Sequence, residues 1–77
     1  RKSDVVLVVG GANSNNTHEL CKTCAKYCER VHHVQGPGDI RTEWIMESDT
    51  IGITAGTSTP DELIEAVENR VRHMLDQ

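Results

Sequence analysis

The chain has 77 residues, of which 36% are hydrophobic, and its formal net charge is −4. A chain of this length forms one small domain that buries only about 60% of the surface of its unfolded form. The negative charge, the scattered Lys and Arg residues and the single Trp and Tyr argue against a nucleic-acid partner. No apolar run approaches the ~18 residues of a membrane span, so no membrane association is expected. Three cysteines without a secretory signal fit a reducing compartment, and we expect a cytoplasmic protein.

The most informative stretch is a glycine turn between a strand and a helix. Asp4 to Val9 contains an unbroken apolar run, typical of a strand buried on both faces of a parallel sheet. It is followed by Gly10-Gly11-Ala12-Asn13-Ser14-Asn15-Asn16-Thr17, and a helical spacing of apolar and small residues then runs from about Asn16 to Arg30. Glycines permit a tight turn, and hydroxyls and amides at a helix N-terminus can bind an anion. The stretch therefore predicts an anion-binding loop.

The middle of the chain predicts an edge strand and a short helix. Val31 to Gln35 is short and more polar than the first strand, and Gly36-Pro37-Gly38 ends it. Asp39 is predicted to cap the short helix, and Glu47-Ser48-Asp49 to connect it to the next strand. The residues of this helix expected to face inward are Ile40, Trp44 and Ile45.

A second loop of the same kind follows the third predicted strand, Thr50 to Ala55. Gly56-Thr57-Ser58 leads into the last helix, where Thr59 is predicted as N-cap, Pro60 as the first helical residue and Glu62 as the partner in a capping box. The apolar stripe of that helix is Leu63, Ile64, Val67, Val71, Met74 and Leu75.

The alternation of strands and helices predicts an α/β fold. We expect a three-layer α/β/α domain with a short parallel sheet in strand order 2-1-3, a flavodoxin-like or Rossmann-like half. In that order the loops that carry Ser14 and Ser58 flank the point where the chain reverses its direction of winding, which is where open α/β sheets bind ligands. The two loops together could hold two phosphoryl groups.

The three cysteines have the spacing C-x2-C-x3-C, which is compatible with a metal site. On the predicted helix, however, Cys24 and Cys28 share the sheet-facing side with Leu20, where cysteine acts as a small hydrophobic residue. We therefore predict no metal ligands in this chain, and expect Cys24 and Cys28 in the core and Cys21 at a more tolerant position. A metal or redox protein that uses these cysteines is the competing hypothesis.

Three segments together resemble a known family. They are the Val-Val-Gly-Gly run with Asn13-Ser14-Asn15-Asn16-Thr17, the stretch from Asp39-Ile40 to Glu43-Trp44, and Gly52-Ile53-Thr54-Ala55-Gly56-Thr57-Ser58-Thr59-Pro60-Asp61. In order and spacing the chain is similar to the C-terminal domain of 4-hydroxy-3-methylbut-2-enyl diphosphate reductase. The resemblance implies an iron–sulfur oxidoreductase of the methylerythritol phosphate route, which removes a hydroxyl from an allylic diphosphate to make isopentenyl and dimethylallyl diphosphate.

The resemblance also implies which residues bind the substrate. Ser14, Asn16 and Ser58 match the family positions that hold the substrate diphosphate, and Asn15 stands where a second serine is usual, with an amide that can still donate. The family's 4Fe-4S cluster is expected to be held outside this chain, with one cysteine upstream of Arg1. No catalytic residue is expected here, and an electron donor such as ferredoxin or flavodoxin would serve the whole enzyme. Residues 1–77 would then be one α/β domain, the C-terminal part of a three-domain enzyme, inactive alone.

Two alternatives remain open from the residues themselves. The chain could be a free-standing flavodoxin-like module that binds a phosphorylated small molecule. Ser14, Asn15 and Asn16 could also serve only as a helix cap, because Ser and Asn are favoured there. Ser58 is less easily explained in that way, since Thr59 is the predicted cap of its helix.

Overall fold

The computed structural model describes residues 4–46 and 50–76. Two helices and three strands alternate along these residues, with two short 3₁₀ turns between the second and third strands. In chain order the elements are β1 (Val5–Val9), α1 (Asn15–Ala25), β2 (Val31–Val34), the 3₁₀ turns Pro37–Asp39 and Thr42–Trp44, β3 (Ile51–Ala55) and α2 (Asp61–Leu75). No helix in the described part of the chain is long and apolar enough to cross a bilayer.

The three strands form a parallel sheet in the order β2-β1-β3, which confirms the predicted α/β class and strand order. β1 is the central strand and pairs along its length with both neighbours, Leu7 facing His32 on one side and Ile53 on the other. A strand paired on both edges and covered on both faces is expected to be apolar throughout, as β1 is.

The two faces of the sheet carry different elements. Side chains alternate along a strand, so Val5, Leu7 and Val9 point to one face and Val8 to the other. The first face packs on the buried residues of α2 and the 3₁₀ segment, which are Val67, Val71 and Ile40. On the second face Val8 is level with His33, whose ring contacts His18 of α1, so α1 covers the opposite side. This arrangement is the predicted layering, with 3₁₀ turns in place of one helix.

Helix α1 is shorter than its periodicity predicts. It ends at Ala25 rather than near Arg30, because the chain must turn at Lys26 and Tyr27 for β2 to begin beside β1 at Val31. Cys28 therefore lies beyond the helix, where its Sγ donates to the carbonyl oxygens of Asp4 at 3.4 Å and Arg30 at 3.6 Å.

The prediction that Cys24 and Cys28 belong to the core is wrong. Cys24 and Cys28 are only half-buried, as is Cys21, and the fully buried core is built from valine, leucine and isoleucine. For Cys28 the reason is the early end of α1, which removes this residue from the helical face assumed in the sequence-based prediction.

The segment after β2 also differs from prediction in one respect. Asp39 does not cap a helix; it closes the first 3₁₀ turn, and its Oδ2 accepts a hydrogen bond from Gln35 N–H at 2.8 Å. Ile40 is buried, and Trp44 and Ile45 pack against the core, as predicted. The predicted connection Glu47-Ser48-Asp49 lies outside the described residues.

Candidate functional site

The two polar loops lie together at the carboxyl ends of β1 and β3. Gly56 N–H donates to the carbonyl oxygen of Val9 at 3.1 Å, so the loop after β3 is attached directly to the last residue of β1. The loop after β1 begins at the next residue, Gly10. Adjacent carboxyl ends of parallel strands are the usual ligand-binding edge of such a sheet.

Ser14 is the N-cap of α1. Its backbone is extended, with φ −83° and ψ 117°, and its Oγ accepts a hydrogen bond from Thr17 N–H at 3.2 Å. Ser14 therefore caps α1. Capping uses a lone pair of the oxygen and leaves the hydroxyl proton available, so Ser14 can cap the helix and donate to an anion at once.

Asn16 joins the two loops. Its Oδ1 accepts a hydrogen bond from Thr57 N–H at 2.7 Å, between residues that are 41 positions apart in the sequence. Because the carbonyl side of the amide is used in this bond, its NH₂ group keeps its donor capacity. Asn15, the first residue of α1, and Ser58, in the turn before α2, are both exposed at the same edge.

The start of α2 differs from the predicted capping box. Thr59 Oγ1 donates to the carbonyl oxygen of Val9 at 3.2 Å, and the helix begins at Asp61 after Pro60 without a side-chain cap. The Thr59 hydroxyl therefore provides a second hydrogen bond between the loop and β1. The predicted capping box with Glu62 does not form. The first amides of α2 keep their donor capacity, and Asp61 and Glu62 in its first turn complement the helix dipole.

Neither loop contains Lys or Arg. Attraction for an anion at this edge must come from hydroxyls, amides and the partial positive charge of the two helix N-termini. The arrangement suits an anion held by oriented neutral donors rather than by ion pairs.

Two supporting residues were missed by sequence reasoning. His33 Nε2 lies 2.9 Å from the carbonyl oxygen of Gly10, and the ring of His18 meets it edge-on at 5.8 Å between centroids. Thr17 is 1% exposed beneath the two loops, and its Oγ1 has no hydrogen-bond partner among the described residues. The alternation of β2 places His33 on the face of α1, but nothing in the sequence indicates that its ring reaches back to Gly10.

The described residues do not fit an iron–sulfur cluster. Such clusters need four ligands, mostly thiolates, and in the described part of the chain no three His, Cys, Asp or Glu side chains could hold a metal ion together. Burial, and secondarily Cys24, raises the pKa of the Cys21 thiol, which disfavours the thiolate that a metal requires.

A parallel sheet with helices on its faces and two donor-rich loops at the carboxyl ends of its strands places the chain in the class of open-sheet α/β domains, whose ligands usually bind at that edge. Within that class the chain belongs to the LytB protein family, whose model matches residues 1–72.

Two relatives of the chain carry the name of the same enzyme. The chain is 42% identical over 74 residues to the 4-hydroxy-3-methylbut-2-enyl diphosphate reductase of Caldanaerobacter subterraneus subsp. tengcongensis, covering 96% of this chain and 26% of that protein. It is 35% identical over 74 residues to the reductase of the same name from Helicobacter hepaticus, covering 96% and 27%.

A solved structure has the same fold. It is described as (E)-4-hydroxy-3-methyl-but-2-enyl diphosphate reductase, the terminal enzyme of the non-mevalonate pathway, and it superposes with a TM-score of 0.87 at 33% identity. The match covers 92% of this chain and 25% of the solved one. The chain thus spans about a quarter of the length of the relatives it matches.

Proposed function

We propose that this chain is the portion of a 4-hydroxy-3-methylbut-2-enyl diphosphate reductase that binds the diphosphate group of the allylic substrate. The observation that carries the proposal is the 2.7 Å bond from Thr57 N–H to Asn16 Oδ1, which holds the two donor loops together. The named relatives and the structural match favour this function over a free-standing flavodoxin-like module.

Four residues would bind the diphosphate. Ser14 and Ser58 would donate through their hydroxyls and Asn16 through its amide, with Asn15 at the exposed rim of the same helix end. Hydrogen bonds to a charged group contribute about 1.5–3 kcal/mol each. Oriented neutral donors hold a leaving diphosphate in register without the desolvation cost of buried ion pairs.

The remaining chemistry would belong to the complete enzyme. A 4Fe-4S cluster, the catalytic residues and contact with an electron donor such as ferredoxin or flavodoxin are assigned to parts of the protein outside this chain, and the enzyme to the cytoplasm. On this proposal the 77 residues supply substrate orientation and have no reductase activity alone.

The test is a titration of inorganic pyrophosphate into the isotope-labelled chain, followed by the amide resonances. Residues 11–17 and 56–61 are expected to shift together with one dissociation constant, because a single anion would contact both loops. Affinity is expected to be weak, about millimolar, since an anion on a half-open site stays partly solvated. Shifts confined to one loop, or two unequal constants, would contradict the shared site.

A further inference from the structure

Thr17 is the most deeply buried polar residue in the described part of the chain. It is 1% exposed, and its Oγ1 has no hydrogen-bond partner among the described residues. A buried hydroxyl without a partner costs about 1–3 kcal/mol relative to a satisfied one. Packing alone would favour an apolar residue of the same shape, so the hydroxyl calls for an explanation at this position.

The side chain of Thr17 is packed between the glycines that begin the two loops. A Cβ placed on Gly56 would lie 2.7 Å from Thr17 Oγ1, well inside van der Waals contact. A Cβ on Gly10 would overlap the same oxygen and lie 2.9 Å from the Cγ2 of Thr17. Because no glycine in the described residues has a positive φ, close approach to Thr17 is what requires glycine here.

Each glycine is held at the end of its strand by a backbone hydrogen bond, which it would lose by moving away from Thr17. Gly10 N–H donates to the carbonyl oxygen of Val34 at 3.0 Å, and Gly56 N–H donates to that of Val9 at 3.1 Å. An oxygen tolerates a closer Cα–H neighbour than a methyl group does. A hydroxyl thus allows the two strand ends to approach the helix more closely than valine would.

Thr17 is also directly connected to the residues that would bind the anion. Its N–H donates to Ser14 Oγ at 3.2 Å, and it follows Asn16, which holds Thr57. Any displacement of Thr17 therefore moves donors on both loops.

The geometry points to Thr17 as a positioning residue of the diphosphate site. Its side chain sets the separation between Gly10 and Gly56 and so aligns Ser14, Asn16 and Ser58 on one anion. This inference rests on the proposed function for its consequence, but the spacing itself can be measured without a ligand.

The test is a double-mutant cycle on the 77-residue chain. Gly56→Ala places a methyl 2.7 Å from Thr17 Oγ1, the nearest atom, and 3.2 Å from Asn16 Oδ1, and it is expected to weaken pyrophosphate binding about tenfold. It should also accelerate hydrogen exchange at Thr57 N–H, because the bond to Asn16 is stretched. In Thr17→Ala/Gly56→Ala the new methyl occupies the space left by the hydroxyl, and both the affinity and the Thr57 protection are expected to return close to those of the unmodified chain.

Two further variants separate spacing from simple loss of stability, with all measurements made where circular dichroism shows every protein folded. Thr17→Ser keeps the oxygen and should retain both pyrophosphate affinity and Thr57 protection, whereas Thr17→Val keeps the shape and should lose both. If Gly56→Ala does not fold, a Thr17→Val variant that loses affinity while Thr57 stays protected would overturn the inference. Gly38→Ala, where a Cβ would meet nothing within 4 Å, is the matched control and should change neither measurement.

If Thr17→Ala and Gly56→Ala have additive effects on pyrophosphate affinity and on Thr57 hydrogen exchange, the inference is overturned. A double variant that regains Thr57 protection without regaining affinity would also overturn it, because the hydroxyl would then act on the anion itself. If the unmodified chain binds no pyrophosphate, the proposed function fails, and the exchange rates at Thr57 still decide whether Thr17 sets the spacing.

Discussion

At the scale of single residues, some side chains of the candidate site can donate to an anion and others hold the two loops together. Asn16 has both roles, since its oxygen accepts from Thr57 N–H and its NH₂ group keeps its donor capacity. Ser58 is exposed. A substitution at Ser58 therefore tests anion binding without disturbing the hydrogen bonds that hold the two loops together.

Ser58→Ala is expected to weaken pyrophosphate binding by about 1.5 kcal/mol, the lower end of a hydrogen bond to a charged group. The free energy of unfolding should change by less than about 0.5 kcal/mol, as for other surface substitutions. Calorimetric or resonance titration together with urea unfolding measures both quantities. The control is Thr23→Ala, an exposed hydroxyl on α1, which should leave the affinity unchanged. Equal affinity in the Ser58 and Thr23 variants would exclude Ser58 from the site.

His32 is expected to make the stability of the fold depend on pH. Its ring stacks on Trp44 at 3.9 Å between centroids and 5° between planes. Burial, and secondarily the nearby Arg30, lowers the pKa of His32 below its usual 6.5. The unfolded chain then takes up the proton first as the pH falls, so stability is fully present above about 6.5 and declines as the pH falls through the folded-state pKa.

Urea unfolding at pH 7.5 and at pH 5.5 measures this effect. His32→Asn should lose part of the pH dependence, whereas His73→Asn, at an exposed position on α2, should retain it. If the His32 variant shows the same difference in unfolding free energy between the two pH values as the unmodified chain, His32 is not the source of the pH dependence.

At the scale of elements, strands were more predictable than helix ends. The continuous apolar run of β1 is a consequence of its central place in a parallel sheet, so its order and burial could be inferred from five residues. The ends of α1 and α2 depend on where neighbouring strands begin. Cys28 continues the helical spacing yet lies in the turn to β2, and Thr59 has the residue type of a cap yet binds Val9.

The candidate site was predictable in its location but not in its internal contacts. Glycine and hydroxyl residues after two strands indicate a binding edge by topology alone. The bond between Asn16 and Thr57 and the burial of Thr17 arise from how closely the two loops approach, which no local pattern encodes.

Substitutions at Thr59 distinguish a hydroxyl that donates to the Val9 carbonyl from one that caps α2. An N-cap accepts a hydrogen bond, and Asp is among the best residues there, so Thr59→Asp would stabilise or preserve a capped helix. In the structure Thr59 Oγ1 donates to the Val9 carbonyl, and a carboxylate cannot donate. Thr59→Asp is therefore expected to destabilise the fold by about 1–3 kcal/mol, and Thr59→Ser to change it little. Thermal or urea unfolding of the two variants decides between the roles, and a more stable Asp variant would restore the capping interpretation.

At the scale of the whole molecule, the chain has the core of a small domain and about a quarter of the length of its relatives. Its contribution to a reductase would be a rigid edge of donors, since the carboxyl ends of β1 and β3 are tied by hydrogen bonds from Gly56 and Thr59. The proposed function assigns the redox centre to other parts of the enzyme, and this assignment can be tested with the chain alone.

The 77-residue chain is expected to take up no iron–sulfur cluster when it is incubated anaerobically with iron and sulfide. Cys21 and Cys24 lie along α1, whereas Cys28 lies beyond it and donates to the carbonyls of Asp4 and Arg30. In the described residues no three His, Cys, Asp or Glu side chains are grouped so that they could hold a metal ion. Visible absorption and iron content are the measurements, with a complete reductase from a relative as positive control. Stoichiometric iron with broad charge-transfer absorption, abolished by Cys24→Ala, would return the cysteines to the centre of the mechanism. Iron at background levels in the 77-residue chain and in its Cys24→Ala variant, with pyrophosphate binding intact, is the result expected of a domain that orients the substrate while another part of the enzyme carries the electrons.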